Sequence, residues 1–261
     1  MLIFAIAACL PWLTACNPGQ STPPKKAESK PKVEAPPANK LDKAAPIEFR
    51  VLVDRKKFPE VVEPAIASLA EAGPEKVAAP GVRWFPIWST IHFAYSELST
   101  EMAERNPLQF INEILHMVAA ERGGVLYVLT WDTPDKALKS EEHNWAVTEA
   151  FLFGRYDPKN VTDPDSLVFS LDKQGARRLG EVTSKNKGQW LAIVLEGKLM
   201  TASRIVHRLD ASGVVTGGPR PFTMEELEWL RRKFLSLPEP PPKPQIDPTP
   251  EKEPAVPLPP R

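Results

Sequence analysis

The sequence predicts one α+β domain, residues 47–237, in which helices pack on a mixed or antiparallel sheet. One observation is that apolar patterns typical of strands alternate with patterns typical of helices, without a regular βαβ repeat. A second is that 7 of the 30 prolines lie in residues 17–46 and 11 lie in residues 238–261. Because proline breaks helices and removes a hydrogen-bond donor from sheets, both flanking segments are predicted to be disordered.

Charge and hydropathy exclude two classes of function. The chain has 33 Lys and Arg residues against 33 Asp and Glu residues, so its formal net charge is zero. This balance argues against a general nucleic-acid binder, and we expect no nucleic-acid partner. No run of 18 or more apolar residues is present, so a membrane-spanning helix is not predicted.

The first segment, residues 1–16, has the character of a signal peptide. It contains no charged side chain and ends in the tetrapeptide Leu-Thr-Ala-Cys, which resembles a bacterial lipobox. The resemblance implies a lipid on the thiol of Cys16, with each buried CH₂ adding about 0.8 kcal/mol of membrane affinity. Two alternatives stay open: Cys9 ends a similar tetrapeptide, or Cys16 is only a small apolar residue, in which case the protein is secreted or periplasmic.

The two proline-rich segments are predicted to surround the domain without joining its core. Residues 17–46 carry six lysines against three acids and almost no large apolar residue, which is typical of a disordered tether. With a lipid anchor, this tether would hold the domain in the bacterial envelope, facing the periplasm. Residues 238–261 are interpreted as a solvated tail, with docking into a polyproline-binding groove as the alternative.

The first half of the domain contains fewer clear elements. The patterns predict a strand over residues 47–53 and a helix over 59–72, which Gly73 would end. A second helix is predicted from Asn106 and Pro107 to the Gly123–Gly124 pair, with Ile111, Ile114, Leu115 and Val118 on its buried face. Strands are predicted over 125–130 and around 150–153.

The second half has a more regular pattern. It predicts a strand over 167–171, a helix over 173–183 and a hairpin of strands 190–195 and 198–202 around the Glu196–Gly197 turn. The last helix begins with a capping box, in which Thr223 and Glu226 satisfy each other's backbone donors. Phe222 and Leu227 are placed to form a hydrophobic staple, and Pro238 prevents further helix.

An ordered series of motifs in this domain resembles the first periplasmic domain of SecD, a membrane subunit that assists the Sec protein-export channel. The matched segments are Ile47–Arg50, Val168–Leu171, Gly175–Ala176, Val182–Thr183, Leu191–Gly197, Thr201–Ile205, Val215–Gly217 and Phe222–Thr223. Residues 54–145 have no clear counterpart in that family, and no counterpart of its membrane bundle is found in the chain. The resemblance implies an α+β SecD-like domain with ferredoxin-like elements.

Most of the matched positions have a structural reason to exist. Glycines suit turns, Thr223 suits a cap, and the apolar residues suit a core. We therefore interpret the following twelve as structural family-motif positions: Phe49, Arg50, Phe169, Gly175, Thr183, Leu195, Gly197, Ile205, Gly217, Phe222, Thr223 and Glu226.

The sequence contains no motif for catalysis or for cofactor binding. The four histidines are scattered, and neither a nucleophile elbow, a phosphate-binding loop nor a dinucleotide fingerprint is present. We therefore predict a protein that is not an enzyme and that uses no metal or small-molecule cofactor.

A dense aromatic cluster lies in the part without a counterpart in the family. It consists of Trp84, Phe85, Trp88, Phe93 and Tyr95. One interpretation is core packing. The other is an apolar surface that holds extended polypeptide, because aromatic faces accept many side chains and a strand edge offers hydrogen bonds that do not depend on sequence.

The resemblance and the lipobox lead to two functional hypotheses. The first is an envelope lipoprotein that assists protein export by binding polypeptide, a membrane protein or a Sec-type partner. The alternative is a structural adaptor of the cell envelope without a role in export.

Overall fold

The computed structural model describes residues 46–76, 79–154, 156–157, 160–161 and 165–238. The predicted signal peptide, almost all of the tether, and all of the tail but Pro238 lie outside the described residues. Helices are α1 Pro59–Ala72, α2 Glu97–Arg105, α3 Pro107–Gln109, α4 Ser140–His143, α5 Lys173–Lys185 and α6 Met224–Phe234. A 3₁₀ turn spans Ile91–Phe93 and a π-helical turn spans Phe110–Ile114.

The strands number twelve in the described part of the chain. They are β1 Ile47–Val51, β2 Val82–Pro86, β3 Ala119–Arg122, β4 Val125–Trp131, β5 Ala137–Lys139, β6 Val147–Phe153, β7 Tyr156–Asp157, β8 Asn160–Val161, β9 Ser166–Leu171, β10 Trp190–Leu195, β11 Lys198–Arg204 and β12 Ser212–Thr216. They form sheets of order β11-β10-β1-β5, β12-β9-β6 and β2-β4-β3, with β7 and β8 as a separate pair.

The four-stranded sheet is central because both of its faces are buried. β1 pairs antiparallel with β10 and β5, with Phe49 opposite Ile193 and Leu138. The buried apolar residues form two core clusters, one on each face of this sheet. Side chains alternate along a strand, so Phe49 and its partner Ile193 join the larger cluster, while Ala192, next to Ile193 on β10, joins the smaller one. The continuous apolar character of residues 190–195 follows from this burial on two sides.

The second sheet packs over the larger cluster through aromatic contacts. Phe49 of β1 stacks on Phe169 of β9 with ring centroids 5.7 Å apart. Phe169 in turn contacts Phe234 of α6, with centroids 5.3 Å apart. α6 buries Leu227 and Leu230 beside Phe234. One layer of aromatic rings therefore joins β1, β9 and α6.

The third sheet joins the central sheet at two isolated bridges. Leu52, just after β1, bridges Thr130 of β4, and Ile87, just after β2, forms a parallel bridge with Leu199 of β11. The smaller core cluster lies at this junction and includes Phe85, Phe110 and Leu199.

The structure confirms the α+β class, with antiparallel strand pairing inside all of the named sheets of the described residues. The helices predicted at 59–72 and 173–183 and the strands at 125–130, 167–171 and 190–195 are present with end shifts of two residues or fewer. Glu196 and Gly197 both have positive φ, 51° and 73°, as the predicted tight hairpin turn needs.

The helix predicted from Pro107 to the Gly123–Gly124 pair is wrong beyond Ile114. The chain leaves the helix through a π-helical turn, and His116 has a φ of 57°. The side chain of Asn112 then accepts from the Ala119 backbone N–H and donates to its carbonyl, at 2.8 and 3.0 Å. These bonds start β3 instead, and the two glycines form the turn between β3 and β4. Ile114, expected on the buried face, is exposed.

Candidate surface for polypeptide recognition

The outer face of the β12-β9-β6 sheet exposes two phenylalanines. Phe151 is 48% exposed and Phe153 is 52% exposed. Ala150, on the opposite face of the same strand, is buried. Side chains alternate between the faces of a strand, so Glu149, Phe151 and Phe153 all lie on the outer face. Leu152, on the inner face, packs against the larger core cluster.

The neighbouring strands extend this apolar face. Phe151 is opposite Val168 of β9, and Val168 is opposite Val214 of β12, so the three form a row across the sheet. Both valines are partly exposed. We call Glu149, Phe151, Phe153, Val168 and Val214 the β6 surface.

β6 is also an edge strand. In the described ranges it pairs with β9 alone, and its register shifts between Val147 and Glu149. An edge strand presents unpaired backbone N–H and C=O groups that can pair with another extended chain. The same element therefore offers sequence-neutral hydrogen bonds and an exposed apolar face.

The structure separates the five residues of the aromatic cluster, for which both core packing and a binding surface were open interpretations. Trp84, Phe85 and Phe93 are buried, with 3% exposure or less. The Trp84 indole donates to the carbonyl of Ala65, at 3.3 Å. Trp88 is half-buried and Tyr95 is 45% exposed. Three of the five side chains therefore serve the core and offer no surface to a partner.

Trp88 instead belongs to a stack that joins the third sheet to the C-terminal part of the domain. Its ring lies 5.2 Å from that of His92, 6.1 Å from Phe222 and 5.9 Å from Trp229, all nearly parallel. His92 and Phe222 are closest, with centroids 4.2 Å apart. Stacked rings of this kind add to the free energy gained from burial alone.

The histidine of this stack has a lowered pKa. Burial lowers the pKa of His92, against the carboxylate of Glu226 and a backbone hydrogen bond with Gly217, which both raise it, while Arg220 lowers it further. Its Nδ1 atom is buried and has no hydrogen-bond partner among the described residues.

Arg50 is fully buried on the other face of β1 and holds a network of charges. Its guanidinium donates to the carboxylate of Glu48, to Asp132 at 2.8 Å and to the carbonyl of Trp131 at 3.0 Å. The guanidinium carbon lies 4.8 Å from the centroid of Phe85. The arrangement joins the central sheet to β4 and to the residue that follows it.

Asp132 shares its carboxylate with a second cation. Lys139 of β5 lies 2.7 Å from Asp132 and 2.8 Å from Glu142. Burial alone would raise the pKa of Asp132, but the hydrogen bonds and charges of Lys139 and Arg50 outweigh it, so this pKa lies below its usual value. Every charge here has an opposite partner, which favours a structural role for the network.

The remaining family-motif positions lie at turns, caps and core contacts. A Cβ on Gly175 would lie 3.2 Å from Trp145, and a Cβ on Gly217 would lie 2.6 Å from the carbonyl of Arg220. The Thr183 hydroxyl donates to the carbonyl of Leu179 at 2.7 Å. Leu195, Ile205 and Phe222 are buried, and Thr223 and Glu226 form the capping box.

The described residues contain no group of three or more His, Cys, Asp or Glu side chains that could hold a metal ion. Among the helices within the described ranges, none combines the length and apolar character that crossing a membrane requires. Cys16, the predicted lipidation site, lies outside those ranges and stays a prediction.

Sequence reasoning located β6 but missed its exposed face. The run Ala150–Phe153 predicts a strand, but all four of its residues are apolar, so the run alone does not show which face is exposed. The signal was available in the longer stretch, because Thr148 and Glu149 place polar residues on both faces near the strand's start. Only the packing of the sheet's other face against the core decides that both phenylalanines point outward.

Comparisons with known proteins agree with the motif series. Residues 155–232 match the family model described as SecDF, P1 head subdomain. The protein translocase subunits SecD of Rickettsia felis and Rickettsia conorii are each 41% identical over 78 residues, which is 28% of this chain and 14% of the relative. The chain therefore spans only a small part of the length of these relatives.

Two solved structures are also similar. A crystal structure of SecDF in the super-membrane-facing form is 17% identical, with a TM-score of 0.34, over 73% of this chain and 18% of that chain. A structure reported for SecDF as a membrane component that enhances protein export is 18% identical, with a TM-score of 0.34, over 74% of this chain and 93% of that one. The motif series and the family-model match agree that residues 155–232 are similar to the P1 head subdomain of SecDF.

Proposed function

We propose that this protein assists protein export in the bacterial envelope, without catalysis, by binding extended polypeptide at the β6 surface. The link to export rests on the match of residues 155–232 to the SecDF P1 head and on the two SecD relatives. The observation that carries the binding step is an edge strand with two outward phenylalanines. Most soluble domains protect such edges, so an edge with exposed aromatic rings beside it favours a role in binding.

The chemistry of β6 suits a partner whose sequence varies. A fourth strand beside β6 would form main-chain hydrogen bonds that any residue except proline can make. Its outward side chains would lie beside Phe151 and Phe153, whose rings accept many apolar shapes. Exported chains are unfolded and differ in sequence, so they are the class of partner that this surface fits. A Sec-type protein with an exposed extended segment would dock in the same way.

Attachment to the membrane through a lipid on Cys16 is part of the same proposal. The tether of residues 17–46 would then keep the domain within about 90 Å of the membrane when fully extended. Mass spectrometry of the mature N-terminus tests this part separately. An unmodified Cys16, or cleavage at another site, would remove the anchor but leave the binding proposal open to its own test.

Binding is tested with a fluorescently labelled, permanently unfolded protein, for example a reduced and carboxymethylated one, added to the full chain. Phe151→Glu and Phe153→Glu together should weaken binding at least about tenfold, since removing a central aromatic contact costs on the order of 1–2 kcal/mol. Leu98→Glu is the matched control, because Leu98 is 69% exposed and lies on α2. Equal binding by all variants would refute the binding site.

The export role is tested in cells. Crosslinking from position 153 should capture exported chains or Sec components. Normal secretion in a deletion strain, together with stable co-purification of a cell-wall or outer-membrane partner, would instead support the alternative of a structural adaptor.

A further inference from the structure

We propose that the C-terminal proline-rich tail of this chain docks on its own β6 surface. Phe151, Val168 and Val214 form an apolar row across three strands. Neighbouring strands are about 4.8 Å apart, so the ends of this row are separated by about 10 Å. The occupant of such a row needs apolar groups that repeat at a similar distance.

The tail contains a repeat of that size. Pro254, Pro257 and Pro260 recur every three residues, with Val256 and Leu258 between them. A polyproline II helix has three residues and about 9.3 Å per turn, so the three prolines share one side of it. Successive prolines of this ridge would therefore lie over the two ends of the row on the sheet. A polyproline helix also loses little conformational entropy when it binds, because it is already extended.

At the β6 end of the contact, the charges of the sheet and of the tail are complementary. Glu149 lies on the same outer face two residues before Phe151, is exposed and forms no ion pair within the described part of the chain. Arg261 follows Pro260 directly. A tail that crosses from β12 toward β6 would place Pro260 near Phe151 and bring Arg261 to Glu149. A second copy of the chain would instead bring another unpaired Glu149 to this surface.

The length of the tail allows the contact. The described chain ends at Pro238, after α6, which packs on β6 and β9 from the inner side of the sheet. Residues 239–254 reach about 50 Å as polyproline II, which is enough to pass round the edge of a sheet three strands wide. The docking contact itself does not depend on the proposed function. Its consequence does: a docked tail would cover Phe151 and so compete with polypeptide for the β6 surface.

The contact is tested in the full chain with the photoreactive residue p-benzoylphenylalanine in place of Phe151. This position is on the surface, so the fold is preserved. After irradiation, mass spectrometry of the monomer should show a crosslink within residues 254–261. Crosslinks that reach only residues 17–46 or a second molecule, or no crosslink at all, would overturn the proposal.

A charge exchange identifies the orientation of the tail. Arg261→Glu should lower the crosslinked fraction about three- to fivefold, and adding Glu149→Arg should restore it, since the pair is then re-formed with exchanged signs. Glu101→Arg, an exposed position on α2, is the control and should not restore it. Equal yields in all variants would show that the tail does not dock in this orientation.

The two proposals fail separately. If the tail docks, Arg261→Glu should bind the unfolded protein more tightly than the unaltered chain does, because the competitor is weakened. Crosslinks to the tail without any binding of unfolded protein would retain the docking and refute the proposed function. Binding of unfolded protein that is unaffected by Arg261→Glu, without crosslinks to the tail, would do the reverse.

Discussion

Replacing Arg50 tests whether the buried charge network stabilises the fold. Arg50→Ala removes a fully buried guanidinium that bonds two carboxylates and one carbonyl. Truncating one partner of a buried ion pair costs about 3–5 kcal/mol. Glu48 and Asp132 are only partly buried, and Asp132 keeps Lys139, so both carboxylates regain some hydration or pairing. We therefore expect a loss of about 3 kcal/mol, near the lower end of that range.

Arg83→Ala is the matched control for this prediction. The Arg83 guanidinium lies 5.1 Å from the same Phe85 ring, close to the 4.8 Å of Arg50, but Arg83 is exposed. Its removal should cost less than about 1 kcal/mol, because exposed cation–π contacts are weak.

Urea unfolding of the full chain, followed by tryptophan fluorescence, measures both variants. In a separate thermal unfolding experiment, the midpoint of the Arg50→Ala variant should be about 6–12 °C lower than that of the unaltered chain. The reason is that 1 kcal/mol corresponds to about 2–4 °C in a domain of this size. If both variants lose the same amount, or if Arg50→Ala loses less than about 1 kcal/mol, the network does not stabilise the fold as argued.

Three further predictions concern other parts of the domain. Because burial lowers the pKa of His92 in the folded state, protonation favours the unfolded chain, so stability is full above about pH 6.5 and falls as the pH drops below that value. His92→Phe should flatten this decline in urea unfolding between pH 7.5 and 5; an unchanged slope would assign it to another group. Gly218→Ala should cost about 2–3 kcal/mol, because φ is +74° and the new Cβ would clash with the carbonyl oxygen of Ala94. Gly124→Ala, with φ +77° and open space, should cost about 1 kcal/mol, and equal losses would contradict the steric argument. Thr223→Ala should cost about 1 kcal/mol by removing the α6 cap; an unchanged free energy of unfolding would show that the cap contributes nothing.

The second half of the domain could be predicted well because its signals are local. The α6 capping box needs only Thr223 and Glu226 at the correct spacing, and the Glu196–Gly197 turn needs residues that tolerate positive φ. The burial of β10 is also visible in its uninterrupted apolar run. Such features depend on neighbours within a few residues, so the sequence contains them in full.

The first half was harder to predict because some of its elements depend on contacts that the local apolar pattern does not show. The apolar spacing of Ile111, Ile114 and Leu115 fits a helix, yet the Asn112 bonds to Ala119 divert the chain into β3. α2 was not predicted at all, although Ser96 and Ser99 form a capping box at its start. Local periodicity gave the wrong answer here, since contacts within the third sheet override it.

The amino-acid sequence by itself predicted the domain limits, and it contains the motif series of the SecD-like part and the proline repeat of the tail. It also showed that aromatic residues are concentrated in residues 84–95. Only the tertiary structure decided that Trp84 and Phe85 are core residues while Phe151 and Phe153 face outward. The physical reason is that strand alternation defines two faces, but only the neighbouring layers determine which of the two is buried.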